Sequence, residues 1–162
     1  MSERQMFNPP LCLSHRARPH IQVELSMRSE VTAISPFADS FMHFIKRCRC
    51  ALGIEREIEV ALREALANAV VHGNQKDPGK RVYVSCCCET DGVSLVVRDE
   101  GQGFDVNAVP DPTAPGHIES DHGRGIYLMR ALMDEVRFER GGTVVYMRKK
   151  SAQEKPVALR KL

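Results

Sequence analysis

The spacing of apolar residues along this chain switches repeatedly between two and about 3.6, and that switching constrains the fold more than any other feature. From His20 to Met27 the segment HIQVELSM puts Ile21, Val23, Leu25 and Met27 on one face, as in a half-buried strand at or near a sheet edge. From about Glu30 to Leu52, Ile34, Phe37, Phe41, Phe44, Ile45 and Cys48 recur three and four apart, which predicts a helix. Ser35 and Pro36 are expected to open its regular part and Gly53 to stop it. A second helix is predicted from about Glu55 to His72, with Glu55 and Glu57 beside its positive end and Gly73 past its close. The runs RVYVSCCCE and VSLVVRD, separated by Asp91 and Gly92, predict an antiparallel hairpin. Helical spacing returns from Arg124 to Met133 through Ile126, Met129, Leu132 and Met133. Two short strands, about Glu135 to Arg140 and Thr143 to Arg148, then meet at Gly141 and Gly142. The order β-α-α-β-β-loop-α-β-β is that of an α/β protein, a two-layer α/β sandwich with its helices on one sheet face.

Composition bounds the function classes. The chain of 162 residues is 43% apolar, enough for a single core. Its 23 Lys and Arg nearly cancel 21 Asp and Glu, which argues against a protein built mainly to grip nucleic acid. The basic excess is local: positions 148 to 162 hold six Lys and Arg against one Glu, which reads as a solvated tail. The expected organisation is a flexible leader over residues 1–19, a folded domain over 20–150 and a basic C-terminal tail over 151–162; three of the nine prolines fall in the leader. No apolar run reaches the roughly 20 residues of a membrane helix and the start lacks a secretory h-region, so a cytoplasmic protein is expected. Three of the six cysteines are consecutive and no C-x-x-C pair occurs, so reduced thiols are expected and zinc is disfavoured.

Three segments carry polar groups in patterns with chemical meaning. In EALANAVVHGN, Glu64, Asn68 and His72 fall four apart and share a helical stripe, while Ala61, Ala65 and Ala69 leave room for close approach. Taken alone, this helix is suggestive only, and an ordinary solvated face is its plainer reading. In VVRDEGQGFD an apolar strand delivers Asp99, and Gly101 and Gly103 then free the backbone from the limits a Cβ imposes; a carboxylate beside bare backbone suits a planar base, and an Asp-Gly turn is the plainer alternative. In HGRGIYLM, Gly123 and Gly125 precede a helix whose unpaired amides suit phosphate oxygens. The Gly- and Pro-rich connector from Gly101 to about Asp121 is longer than an ordinary link, as for a ligand lid or mobile loop. Neither G-x-x-x-x-G-K-[ST] nor a complete G-x-G-x-x-G is present, which disfavours P-loop and Rossmann sites.

The order E-x-x-x-N helix, D-x-G-x-G after a strand, G-x-G opening a helix and a Gly-Gly-Thr turn resembles the GHKL ATP-binding superfamily. Within it, ALREALANAVVHGN, RDEGQGFD and HGRGIYLMRALMDEV are similar to the N box, G1 box and G2 region of the small anti-sigma-factor serine-protein kinases, over about residues 20 to 150. The resemblance implies the GHKL/Bergerat-type ATPase fold, with a mixed, mostly antiparallel sheet. It implies ATP and Mg2+ as cofactors, Asn68 as the magnesium ligand and Glu64 as the catalytic base for an attacking serine hydroxyl. Asp99 would accept from the adenine amino group, Thr143 on the last strand would assist it, Gly101 and Gly103 would permit close backbone approach, and Gly123 and Gly125 would give N–H groups to phosphates. His72 is assigned a structural hydrogen bond. Where some relatives carry a basic residue before the G2 glycines, this chain has Asp121 and His122, and Arg124 is the candidate cation in its place. The implied partners are an anti-sigma-factor antagonist domain as substrate, a sigma factor and a second copy of the chain. A nucleotide-gated binding protein of the same fold without phosphate transfer is the alternative.

Overall fold

The computed structural model describes residues 21–89, 91–105 and 121–151, the side chains of Asp121 and His122 excepted. It comprises β1 (Ile21–Arg28), α1 (Val31–Cys48), α2 (Glu55–Ala67), β2 (Arg81–Glu89), β3 (Gly92–Arg98), α3 (Asp121–Leu132), β4 (Glu135–Glu139) and β5 (Val144–Lys150). A π-helical turn, Asn68–Gly73, extends α2, and a 3-10 turn, Arg140–Gly142, joins β4 to β5. The leader, most of the connector and the tail beyond residue 151 lie outside the described residues.

The sheet has the order β1-β2-β3-β5-β4, and all four neighbouring pairs are antiparallel rather than mixed. Chain reversals explain this. Two helices between β1 and β2 return the chain to its neighbour in the opposite sense. The single helix α3 makes β4 run with β3, but β5 lies between them, so no parallel pair forms.

Register decides which face is buried. Val84, Cys86 and Cys88 sit opposite Val97, Leu95 and Val93, and Leu95 and Val97 sit opposite Met147 and Val145. Directly opposed residues share a face, and this one is the core, where Phe41, Ile45, Ile58, Leu62 and Leu66 from α1 and α2 also bury completely. Cys87, one residue out of phase, points to the other face, as the two-residue period requires.

Several boundaries differ from expectation. Helix α1 starts at Val31, so Ser35 and Pro36 lie inside it; burial of Ala38, Phe41, Met42 and Ile45 outweighs the interior proline. It ends before Gly53, because Arg49 adopts a left-handed φ of 56° and its N–H donates to the Lys46 carbonyl. Gly53, at φ 80°, instead shapes the turn into α2 and donates its N–H to Glu55 Oε2 at 3.0 Å. The reduced-thiol expectation holds for Cys48 and Cys86 but not for Cys50, Cys87 and Cys88, which are disulfide-bonded; Cys50 and Cys88 are joined to each other where the chain after α1 meets β2. The basic tail also begins later than charge alone implied. Arg148, Lys149 and Lys150 belong to β5, where Arg148 pairs with Glu89 and Asp91 and Lys149 with Asp134.

Candidate functional site

A cleft opens between α2 with its π turn, the adjoining ends of β3 and β5, and α3. Asn68, Asp99 and Thr143 all line it, although they lie far apart in sequence.

At one end stands Asp99, the residue after β3, only 8% exposed. Its N–H donates to the Thr143 carbonyl at 3.0 Å and its Oδ1 accepts the Gly101 N–H at 2.7 Å. Burial pushes its pKa above the usual carboxylate value; the Gly101 N–H and the charges of Lys80 and Arg98 oppose that rise without cancelling it. The glycines here are required by contact. A Cβ on Gly73 would fall on the Asp99 carboxyl group, and one on Gly101 would fall on the Gly73 carbonyl oxygen. Gly103, at φ +79°, packs so tightly on the Gly141 carbonyl that a side chain there has neither the space nor the backbone conformation. The Phe104 N–H donates to that same Gly141 oxygen at 2.7 Å, which locks the G1 segment to the β4–β5 turn. Thr143 lies just before β5 rather than on it, and its hydroxyl donates to the Arg140 carbonyl at 3.1 Å, which leaves its oxygen free to accept.

Along the helical wall α2 loosens into the π turn, which runs from Asn68 to Gly73 beside Asp99 and is visible in the Asn74 N–H donating to Ala69 O at 2.8 Å, five residues back. A helical extension to His72 was expected; the wider turn occurs instead, a form that recurs at functional sites. Glu64 and Asn68 remain neighbours, but His72 is exposed and does not line the cleft. Gly125 of α3 closes against both: a Cβ there would lie 2.7 Å from Glu64 Oε2 and 3.4 Å from each terminal atom of Asn68. Asn68 Nδ2 is buried with no hydrogen-bond partner. Carboxamide nitrogen and oxygen are assigned from their bonding, and the half-turned amide would present an unpartnered oxygen, the donor a hard divalent cation takes. The residue therefore fits a magnesium ligand. Gly123 and Gly125 lie inside α3, which begins at Asp121, rather than before a helix as expected; both are buried, Arg124 between them is exposed, and none of the three, nor Glu64, Gly101 or Gly103, lines the cleft.

Elsewhere the walls are apolar. Ala65 and Ala69 line the cleft as small residues, while Ala61 is buried in the core. Met129, read from its spacing as a core residue, is both fully buried and part of the wall. Sequence reasoning missed Phe104 and Phe138, whose rings meet edge-on at 5.9 Å between centroids, and missed Asn74. Phe104 follows the glycines in GQGF and was legible as a contact residue; Phe138 looks like any strand residue until the fold brings it to the cleft.

A largely apolar cleft lined by both a buried carboxylate and an unpartnered carboxamide suits a nucleotide on this α/β sandwich. The chain belongs to the histidine kinase-like ATPase domain family, whose model matches residues 27–149. It is 31% identical over 106 residues to the anti-sigma F factor of Oceanobacillus iheyensis, covering 62% of this chain and 73% of that protein. It is 38% identical over 105 residues to the anti-sigma F factor of Geobacillus kaustophilus, covering 61% and 71%. To the serine-protein kinase RsbW of Bacillus subtilis it is 35% identical over 100 residues, covering 57% and 62%. Among the described residues no group of three or more His, Cys, Asp or Glu is arranged to hold a metal ion. Nor is any described helix long and apolar enough to cross a membrane.

Proposed function

We propose that this chain is an ATP- and magnesium-dependent serine protein kinase of the partner-switching kind, acting as an anti-sigma factor. Its substrate is a serine on a small anti-sigma-factor antagonist domain, and it also binds a sigma factor. The observation that carries the nucleotide site is the convergence of Asn68 and Asp99 on one cleft. The names of the relatives support the choice of partners.

In this reading Asp99 accepts a hydrogen bond from the adenine amino group and rejects guanine, whose oxygen would oppose the carboxylate acceptor to acceptor. Thr143 assists with its free acceptor site, and Ala65, Ala69 and Phe104 enclose the base. Asn68 holds the magnesium ion, which when bound neutralises charge on the phosphate oxygens. The backbone N–H of Gly123, in the first turn of α3, donates to the phosphates, while Gly125, one turn in, serves by lacking a side chain where α3 meets Glu64 and Asn68. Glu64 takes the proton from the serine hydroxyl as its oxygen attacks the terminal phosphorus, and the bond from that phosphorus to the bridging oxygen breaks; such base assistance contributes about 10²- to 10⁴-fold in rate. Phosphorylated antagonist binds less well, which frees the kinase for the sigma factor.

The functional unit is residues 20–150, with the leader 1–19 and tail 151–162 appended, and it works in the cytoplasm as a homodimer. The β1 edge supports pairing of copies, since Ile21 and Leu25 are 46% and 43% exposed there, whereas β4 at the opposite edge alternates Glu135, Arg137 and Glu139. A second reading, an ATP-gated binding protein without phosphate transfer, is favoured by one observation: neither Arg124 nor Glu64 lines the cleft. The deciding experiment incubates the chain with labelled Mg·ATP and a serine-bearing antagonist domain. Transfer that is lost in Glu64→Ala while ATP still binds supports the kinase. ATP binding with no transfer by the unaltered chain supports the second reading, and no ATP binding removes both.

A further inference from the structure

Asn74 is fully buried, and its side chain is bonded at both ends. Its Nδ2 donates to the Arg81 carbonyl at 2.9 Å, and its Oδ1 accepts the Glu100 N–H at 2.8 Å. Its own N–H donates back to Ala69 O at 2.8 Å. One residue thus ties the π turn, the start of β2 and the end of β3.

The Glu100 N–H belongs to the peptide plane on the C-terminal side of Asp99. The plane on the N-terminal side is held by the bond from the Asp99 N–H to Thr143 O. With both flanking planes pinned, φ and ψ of Asp99 are set and so is the direction of its Cα–Cβ bond. Glu100 holds the same peptide from its far side: its Oε2 accepts the Arg81 N–H at 2.8 Å and its Oε1 accepts from the Tyr83 hydroxyl at 3.0 Å. Gly73, next to Asn74, forms the seat against which the carboxyl group rests.

We infer that Asn74 is a positioning residue for base recognition, acting through the backbone of Asp99 rather than by touching the nucleotide, which it does not line the cleft to reach. The inference rests on the proposal that Asp99 reads adenine. Removing the Oδ1 acceptor leaves the part-buried Glu100 N–H without its partner, and the Asp99–Glu100 peptide turns to find one.

The test is a double-mutant cycle on the full chain, read as the affinities for Mg·ATP and Mg·GTP, with thermal melting alongside. Asn74→Ala is expected to weaken Mg·ATP binding by about tenfold, the scale of one buried polar group left unsatisfied, and to narrow the ATP-to-GTP preference. In the Asp99→Asn background the same change should cost less than about twofold, because the side chain it positions no longer discriminates. If Asn74→Ala does not fold, Asn74→Asp, which retains an oxygen for the Glu100 N–H, is read in the same cycle and should lose less affinity than removal of the carboxylate itself. An equal loss in both backgrounds, or a lower melting temperature with unchanged affinity and preference, overturns the inference and leaves Asn74 a purely structural residue. Failure of the unaltered chain to bind Mg·ATP would instead overturn the adenine reading on which it rests.

Discussion

Replacing Asp99 by Asn separates the nucleotide role of this side chain from its structural role, because the two effects have opposite signs. The substitution keeps shape and keeps an oxygen to accept the Gly101 N–H now bonded at 2.7 Å. What it removes is the charge. A hydrogen bond from adenine to a carboxylate is worth about 1.5–3 kcal/mol, so Mg·ATP affinity should fall about 10- to 150-fold at 1.4 kcal/mol per decade. Stability should move the other way. Burial raises the folded-state pKa of Asp99 above the ordinary carboxylate value of 3.8, so the folded chain holds the proton over a range in which the unfolded chain has lost it. The contribution of this group to stability is therefore present below pH 3.8 and is lost as pH rises through the raised folded value. The neutral Asn variant lacks that loss and should melt at or above the parent temperature near pH 7, with the difference vanishing in acid. Calorimetric titration with Mg·ATP and melting curves from pH 3 upward, using the parent chain as reference, supply both readings. Unchanged Mg·ATP affinity would refute the assignment of Asp99 to the base, and a markedly lower melting temperature at neutral pH would show that the carboxylate holds the fold together.

The same titration predicts a pH effect on selectivity. As pH falls through the window above 3.8, the ATP affinity of the parent should drop and its preference over GTP should narrow, because a neutral carboxyl group offers an O–H to the guanine oxygen; the Asp99→Asn variant, measured as control, should show no such narrowing. Gly103→Ala combines a φ of +79° with a Cβ lodged on the Gly141 carbonyl and should cost about 1–3 kcal/mol, read as a melting temperature lower by several degrees; an unaltered melting curve would show that the G1 segment and the β4–β5 turn are not packed together. Gly125→Ala puts a methyl group 2.7 Å from Glu64 Oε2, the movable tip of a side chain, so the fold should survive. Phosphate transfer should fall about tenfold or more while ATP affinity changes less, as single-turnover assays would show; full transfer would disconnect Glu64 from the chemistry.

Much of the architecture was legible because core patterning is local. The stripe through Phe41 and Ile45 and the alternation through Val82, Val84, Cys86 and Cys88 each declare an element without knowledge of its neighbours. The boundaries that went astray depended on backbone states with weak residue signatures. Arg49 in the left-handed region ends α1 where a glycine was expected, and the widening after Ala67 has no mark in NAVVHG. The Cys50–Cys88 bridge was likewise invisible, since spacing does not say which thiols the sheet and the end of α1 bring together.

From composition and periodicity alone came the α/β class and the hairpin of β2 and β3; the roles of Glu64, Asn68, Asp99, Gly103 and Gly125 came from the order of the motifs and their resemblance to a known superfamily. Tertiary structure decided what those residues share. It set Asn68 and Asp99 on one cleft, placed Gly73 under the carboxyl group, recruited Phe138 and Asn74, and left Arg124 and His72 outside. The division has a physical cause: whether a side chain belongs to a helix or a strand depends on neighbours a few positions away, whereas whether two side chains face one cavity depends on strand order, register and helix twist, which no short stretch of chain contains.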